Sequence, residues 1–226
     1  VLSLSKIIDD RPILQDISFE IPNGRYVALL GANGAGKSTL LKVLATLIPA
    51  THGQLLFFGR ALARDTTTFR SRMGMIGHGA MLYRDLTALE NLVFFGRLYR
   101  VADPRARARE LLEYVGLASR AHDPVKTFSR GMVQRVSIAR ALMHDPGLIL
   151  ADEPFAGLDA PSRGMLEAFL HRLHDEGKTI ILANHDIEQS LALAEQVLVL
   201  RAGRLAVDRL TRGLDPQTVL AEVTGS

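Results

Sequence analysis

The chain has 226 residues, 47% of them hydrophobic, enough for one large domain or for a core with a smaller subdomain. The absence of cysteine excludes disulfides and thiolate metal sites and fits a reducing compartment. A formal net charge of +3 demands no nucleic-acid partner, and no apolar run reaches the ~18 residues of a membrane span. No signal peptide is read at the start, which is Val1, so the expectation is a soluble polypeptide that crosses nothing by itself.

In chain order, Ile17, Phe19 and Ile21 alternate with Ser18 and Glu20, which predicts a half-buried antiparallel strand. Residues 26–30 form a short apolar run before a glycine loop and read as a buried strand. Residues 38–47 then have helical spacing. From 86 to 143 helical patterns dominate. Thr87 and Glu90 have capping-box spacing, Asp103-Pro104 places proline at the first position of a second helix, and Gly116 ends that helix. Residues 148–151 and 179–183 are further buried strands. Residues 196–200 and 205–208 flank Arg201-Ala-Gly-Arg204 as a terminal hairpin. The alternation predicts an α/β fold with a helical insertion at 79–143. The core, with an N-terminal antiparallel β subdomain, takes residues 1–78 and 144–226. Internal repeats, low-complexity tracts and long linkers are absent from the sequence.

Residues 31–39 read GANGAGKST and match G-x-x-x-x-G-K-[ST], with Gly31, Gly36, Lys37 and Ser38 at the fixed positions. Glycines let backbone N–H groups converge on phosphate oxygens, and the helix that follows offers its positive end. The segment Gly31, Asn33, Gly34, Ala35, Gly36, Lys37, Ser38 and Thr39 is therefore the expected cradle for the phosphates of a nucleotide. Lys37 reaches the β- and γ-phosphates and the Ser38 hydroxyl holds Mg²⁺. The apolar run 148–151 ends in Asp152 and Glu153, which sets both acids at the carboxyl edge of a sheet, where α/β ligands bind. Asp152 suits Mg²⁺, directly or through a water. Glu153 is placed to polarise a water for attack on the γ-phosphate.

The ordered set of motifs resembles the nucleotide-binding subunit of an ABC transporter over nearly the whole chain. Residues 31–39 resemble Walker A, Ser129 to Met132 occupy the signature position, and residues 148–153 resemble Walker B with its glutamate. Ala156-Gly-Leu-Asp159 resembles the D-loop, and His185 in Ala183-Asn-His-Asp186 resembles the switch histidine. The resemblance implies a P-loop ATPase core of ABC type, with Glu153, His185 and Lys37 as catalytic groups. It implies nucleotide contacts from Ser129, Gly131 and Asp159, and Mg²⁺ held by Ser38 and Asp152. It implies a head-to-tail dimer, most simply a homodimer, with two ATPs in the interface. It also implies integral membrane partners that turn the closing stroke into transport, and a peripheral place on the cytoplasmic face of the membrane.

Departures from the family pattern carry information. Ile8 stands where an adenine-stacking aromatic is usual, so ring stacking is lost. The usual lid glutamine falls on Gly79, with His78 beside it as a candidate substitute. In the signature, Arg130 replaces the first glycine and Met132 the glutamine, while Ser129 and Gly131, which supply the cap and the close backbone approach, remain. The form S-R-G-M-V-Q-R, with Gly77-His78 and residues 86–92, resembles an exporter branch and within it the ATP-binding subunit of the haem exporter of cytochrome c biogenesis. Drug, lipid and polysaccharide exporters share several of these features. Two other readings are a soluble ATPase acting on nucleic acid or ribosomes, and a nucleotide-binding regulator without turnover.

Overall fold

The computed structural model describes residues 1–57, 59–62, 66–77, 79 and 81–225. Strands β1 (Leu2–Ile8) and β2 (Arg11–Ile17) form an antiparallel hairpin. Its two-residue turn, Asp9-Asp10, takes φ +49° and +59°, the left-handed pair of a type I′ turn. Strand β3 (Tyr26–Leu30) leads through the glycine loop into helix α1 (Lys37–Leu44). Strand β4 (His52–Gln54) pairs with β1 and completes a three-stranded antiparallel sheet. A small ribbon, β5 (Leu56–Phe57) and β6 (Arg60–Ala61), precedes the short helix α2 (Thr67–Arg70) and strand β7 (Met73–Ile76).

Three helices follow: α3 (Ala88–Leu98), α4 (Pro104–Tyr114) and α5 (Arg130–Ala141). The chain then alternates again through β8 (Leu148–Asp152), α6 (Ala160–Asp175), β9 (Thr179–Ala183), α7 (Ile187–Leu193), β10 (Gln196–Arg201), β11 (Arg204–Leu210) and α8 (Pro216–Thr224). The main sheet has the order β11-β10-β3-β9-β8-β7. All its neighbours are parallel except the β10–β11 hairpin. Every residue of β3, β8 and β9 is buried, as expected of parallel strands covered on both faces. Successive residues of β3 serve opposite cores. Tyr26, Ala28 and Leu30 join the helical side, while Val27 and Leu29 join the side of α1 and the antiparallel sheet.

Two expectations need correction. The strand expected over 17–21 lies at 11–17 instead. Ile17 and Phe19 are buried, which produced the alternation, but the ladder breaks there, where Asp16 turns to φ +50°. Pairing persists beyond it at one point, where the Phe19 amide donates to the Val1 carbonyl (3.2 Å) and the Val1 ammonium to the Phe19 carbonyl (2.9 Å). Helix α1 stops at Leu44, short of 47, because Thr46 adopts φ +57° and the amides of Leu47 and Ile48 turn back to the Lys42 carbonyl.

The local signals of the helical stretch hold. The Thr87 amide donates to Glu90 Oε2 (2.8 Å) and the Glu90 amide to Thr87 Oγ1 (3.1 Å), a complete capping box. Asp103 caps α4 ahead of Pro104, and Gly116 follows its end at φ +67°. The terminal hairpin turns on Ala202-Gly203, both left-handed. Its tip is fixed in two directions: the Gly203 amide donates to the Ala35 carbonyl (3.2 Å), and the Gly203 carbonyl accepts from the Gln15 amide (2.8 Å). No helix among the described residues is long and apolar enough to cross a membrane.

Candidate nucleotide-binding site

The parallel strands β3, β9 and β8 end side by side, with Leu29 in register with Ala183 and Asp152 with Ala183. The sheet's carboxyl edge is where the site residues converge. The glycine loop leaves β3 and closes with an Ala35 amide to Ala32 carbonyl bond of 3.1 Å. Gly36, at φ +107°, caps α1. A Cβ there would meet Leu14 Cδ2 at 2.7 Å and the Ile13 carbonyl at 3.2 Å, and any side chain at this φ is strained, so the position favours glycine. The first turn of α1 holds neither a side-chain cap nor an acid. Its amides and positive dipole end are therefore left to serve an anion. Asn33 and Gly34 sit exposed at the top of the loop, Gly31 is buried at its base, and Thr39 is half-buried in α1.

Lys37 is buried and folds over the loop, donating from Nζ to the carbonyls of Gly31 (2.6 Å) and Ala32 (3.3 Å). Burial pushes its ammonium below the usual lysine pKa, and the carboxylates of Glu153 and Asp152 oppose that shift. The Ser38 hydroxyl donates to Asp152 Oδ1 at 3.0 Å, joining the glycine loop to the end of β8. Asp152 is buried and makes no ion pair among the described residues, which leaves its charge to an incoming cation. A buried carboxylate beside a hydroxyl is an oxygen donor set that fits Mg²⁺.

Glu153 follows in a left-handed conformation, φ +48°, which is uncommon outside glycine. Its amide donates to the Ala183 carbonyl at 3.0 Å, so the acid is stitched to the last residue of β9. The next residues form a hydrogen-bonded loop. Asn184 is buried; its Oδ1 accepts from the amides of His185 (2.8 Å) and Asp186 (3.4 Å), and its Nδ2 donates to Gln189 Oε1 (2.9 Å). Gln189 in turn donates to Glu167 on α6. This network fixes the loop while the His185 side chain stays exposed. The sequence reading missed Asn184 and Gln189. An asparagine straight after the apolar run 180–183 is the available signal, since a polar side chain buried there needs partners.

The structure brings Lys37, Ser38, Asp152, Glu153 and the His185 loop to one edge. Ser129, Gly131 and Asp159 have other partners: among the described residues, no hydrogen bond or ion pair joins them to residues 31–39. Ser129 caps α5, its Oγ accepting from the Met132 amide at 3.3 Å. Gly131 lies against the first turn of α6, where a Cβ would meet Ser162 Oγ at 2.7 Å. Asp159 is exposed and caps α6 by accepting from the Ser162 amide (3.0 Å). Hydrogen bonding by Ser162, first through its hydroxyl and then through its amide, holds the Asp159 carboxyl below the usual carboxylate range. Ile8, at the end of β1 opposite Arg11, is exposed, as is Gly79. His78 lies outside the described residues.

Comparison with known proteins supplies the family. Residues 14–156 match the family described as ABC transporter. The chain is 36% identical over 205 residues to the linearmycin resistance ATP-binding protein LnrL of Bacillus subtilis, covering 90% of this chain but 66% of that protein. It is 38% identical over 224 residues to the phosphonates import ATP-binding protein PhnC of Trichormus variabilis, covering 93% of this chain and 91% of that one. Proteins named for export and for import both lie at this distance. Among solved structures, a dimeric ATP-binding cassette in a post-hydrolysis state, bound to ADP and Pi, superposes with a TM-score of 0.84 at 29% identity, covering 94% of this chain and 98% of that one. With a family match over more than half its length and the converged phosphate-loop and acid geometry, the chain belongs to the ABC transporter family and is an ATPase of that family.

Proposed function

We propose that this ATPase works as a head-to-tail homodimer on the cytoplasmic face of a membrane and powers export through integral membrane subunits. The observation that carries the reading is the Ser38–Asp152 hydrogen bond beside the folded Lys37. It supports a site for the phosphates of ATP with Mg²⁺. The ion would be held by Ser38 and Asp152 and, when bound, supplies positive charge against the phosphate oxygens. Lys37 exchanges its two loop carbonyls for phosphate oxygens. Glu153 accepts a hydrogen bond, and then the proton, from the attacking water as its oxygen bonds phosphorus, and His185 contacts the γ-phosphate from the adjoining strand end. Ser129 and Gly131 of the second copy complete the nucleotide's surroundings with a helix N-terminus, and Asp159 lies at the same interface. In this reading residues 79–143 act as the helical subdomain that carries the signature, and residues 1–78 with 144–226 act as the core.

The finer assignment is export, and within it haem export in cytochrome c biogenesis. It is supported by the Ser129-Arg-Gly-Met-Val-Gln-Arg135 form and by a relative named for Nod factor export at 35% identity. The import relatives set the competing direction. Two measurements test the proposal. Phosphate release with Mg²⁺ and ATP is expected above background and at background in Lys37→Ala; turnover retained in that variant contradicts the site. Co-purification from membranes is expected to recover cytochrome c maturation proteins, and recovery of an unrelated permease rejects the haem assignment.

A further inference from the structure

The loop immediately after Glu153 is held at three points, two of them by α5. Arg130 and Gln134 are four residues apart on α5 and share a face. Gln134 Nε2 donates to the Pro154 carbonyl at 3.3 Å. Phe155 is buried in the core. At the far end, Gly157 takes φ +67°. A Cβ on it would lie 2.3 Å from Arg130 Nη1 and 2.4 Å from Cζ, so the guanidinium occupies the place where a side chain at 157 would begin. Arg130 makes no ion pair among the described residues. Its contact is with this backbone.

We propose that Arg130 and Gln134 form a clamp on residues 154–157 that positions Glu153 of the same chain for hydrolysis. Glu153 sits at the head of the clamped loop in a left-handed conformation, and its own carbonyl accepts from the Ala156 amide at 3.1 Å. Such a conformation persists only where its surroundings over-determine it. The clamp is one of those surroundings. Ser129 lies in the same turn of α5 as Arg130. A shift of α5 on meeting a second copy's nucleotide would therefore reach the chain's own Glu153 through these two contacts. A glycine at position 130, usual for the family this sequence resembles, has no side chain to make this contact. Arg130 is thus a positioning residue, and the inference rests on the reading of Glu153 as the group that activates water.

The test is a double-mutant cycle on steady-state ATP hydrolysis by the full chain. Arg130→Ala is expected to lower kcat about tenfold with KM for ATP within about twofold, since small displacements of a catalytic group cost rate and not binding. Gly157→Ala is expected to displace the guanidinium and lower kcat by at least a similar factor, since a side chain at φ +67° also strains the loop. The double variant is then expected to lose little more than Gly157→Ala alone, because the Arg130 contact is already gone in that single variant. Gln134→Leu, which leaves α5 and Gly157 untouched, is expected to show the same loss in kcat alone. The clamp is overturned by an Arg130→Ala kcat within twofold of the parent, by losses that multiply to about a hundredfold in the double variant, or by a raised KM at unchanged kcat, which would place Arg130 on the nucleotide instead. Glu153→Gln is run alongside: hydrolysis retained in that variant removes the underlying reading, whereas its collapse with a flat cycle removes the clamp alone.

Discussion

At the scale of single residues, the site is defined by side chains whose surroundings are unusual for their type. Glu153 carries a backbone conformation that costs roughly 1–3 kcal/mol for a residue with a side chain. Two backbone bonds, to Ala183 and from Ala156, hold it there. Lys37 is a buried cation satisfied by two carbonyls, ready to exchange them for a stronger anion. None of this is legible in the letters D-E or G-K-S, which give residue type and order but no dihedral angle. His144 is a second case, outside the site. It stacks on Tyr99 with ring centroids 3.8 Å apart and bonds the Met73 carbonyl at 2.9 Å through Nε2, while Nδ1 has no partner. Burial, the largest cause, pushes its pKa below the ordinary 6.5. A base whose folded pKa is depressed charges more readily in the unfolded chain, so stability is full above the ordinary value and falls as pH drops below it. Urea unfolding at neutral pH and near pH 5 is expected to show that loss, and His144→Phe, which keeps the stack, is expected to reduce it. An identical pH slope in the variant contradicts the assignment.

At the scale of elements, the signature turn TFSRGMVQR separates into parts with different tasks. Ser129 caps α5 and leaves the helix N-terminus open, and Gly131 permits the close approach to α6. Met132 packs against the helical core without a side-chain hydrogen bond. Ser129→Arg removes a cap worth about 1 kcal/mol and sets a bulky cation at the helix start. It is expected to abolish ATP-driven dimerisation by size-exclusion chromatography. Met132→Gln is expected to leave hydrolysis within about threefold. Equal damage from both contradicts this division. Strands at 26–30 and 179–183 are legible because each is almost wholly apolar and buried on both faces. Strand β2 is hard to place from the letters because the bulge at Asp16 breaks the two-residue period, while the buried Phe19 prolongs the pattern. The caps at Thr87, Asp103 and Gly116 were legible because each depends on a fixed local spacing.

At the scale of the whole molecule, one sheet edge gathers Lys37, Ser38, Asp152, Glu153 and the His185 loop, while Ser129 and Gly131 open α5, with partners on α5 and α6. The order of motifs in the sequence foretold the first group, since strand ends of one parallel sheet converge. For the second, linear order carries no distance between α5 and the glycine loop; it was the family resemblance that implied Ser129 and Gly131 serve a nucleotide across a head-to-tail dimer. We propose that a second copy completes the site; a dimeric ATP-binding cassette bound to ADP and Pi is among the solved structures that this chain resembles, over 94% of its length. The central claim is that ATP closes two copies and Glu153-dependent hydrolysis reopens them. Its most direct test is Glu153→Gln with ATP and Mg²⁺, followed by sedimentation velocity and phosphate release. The account expects ATP binding retained, a stable dimer and hydrolysis reduced by about a hundredfold or more. A variant that stays monomeric with ATP bound, or that hydrolyses ATP at the parent rate, contradicts it.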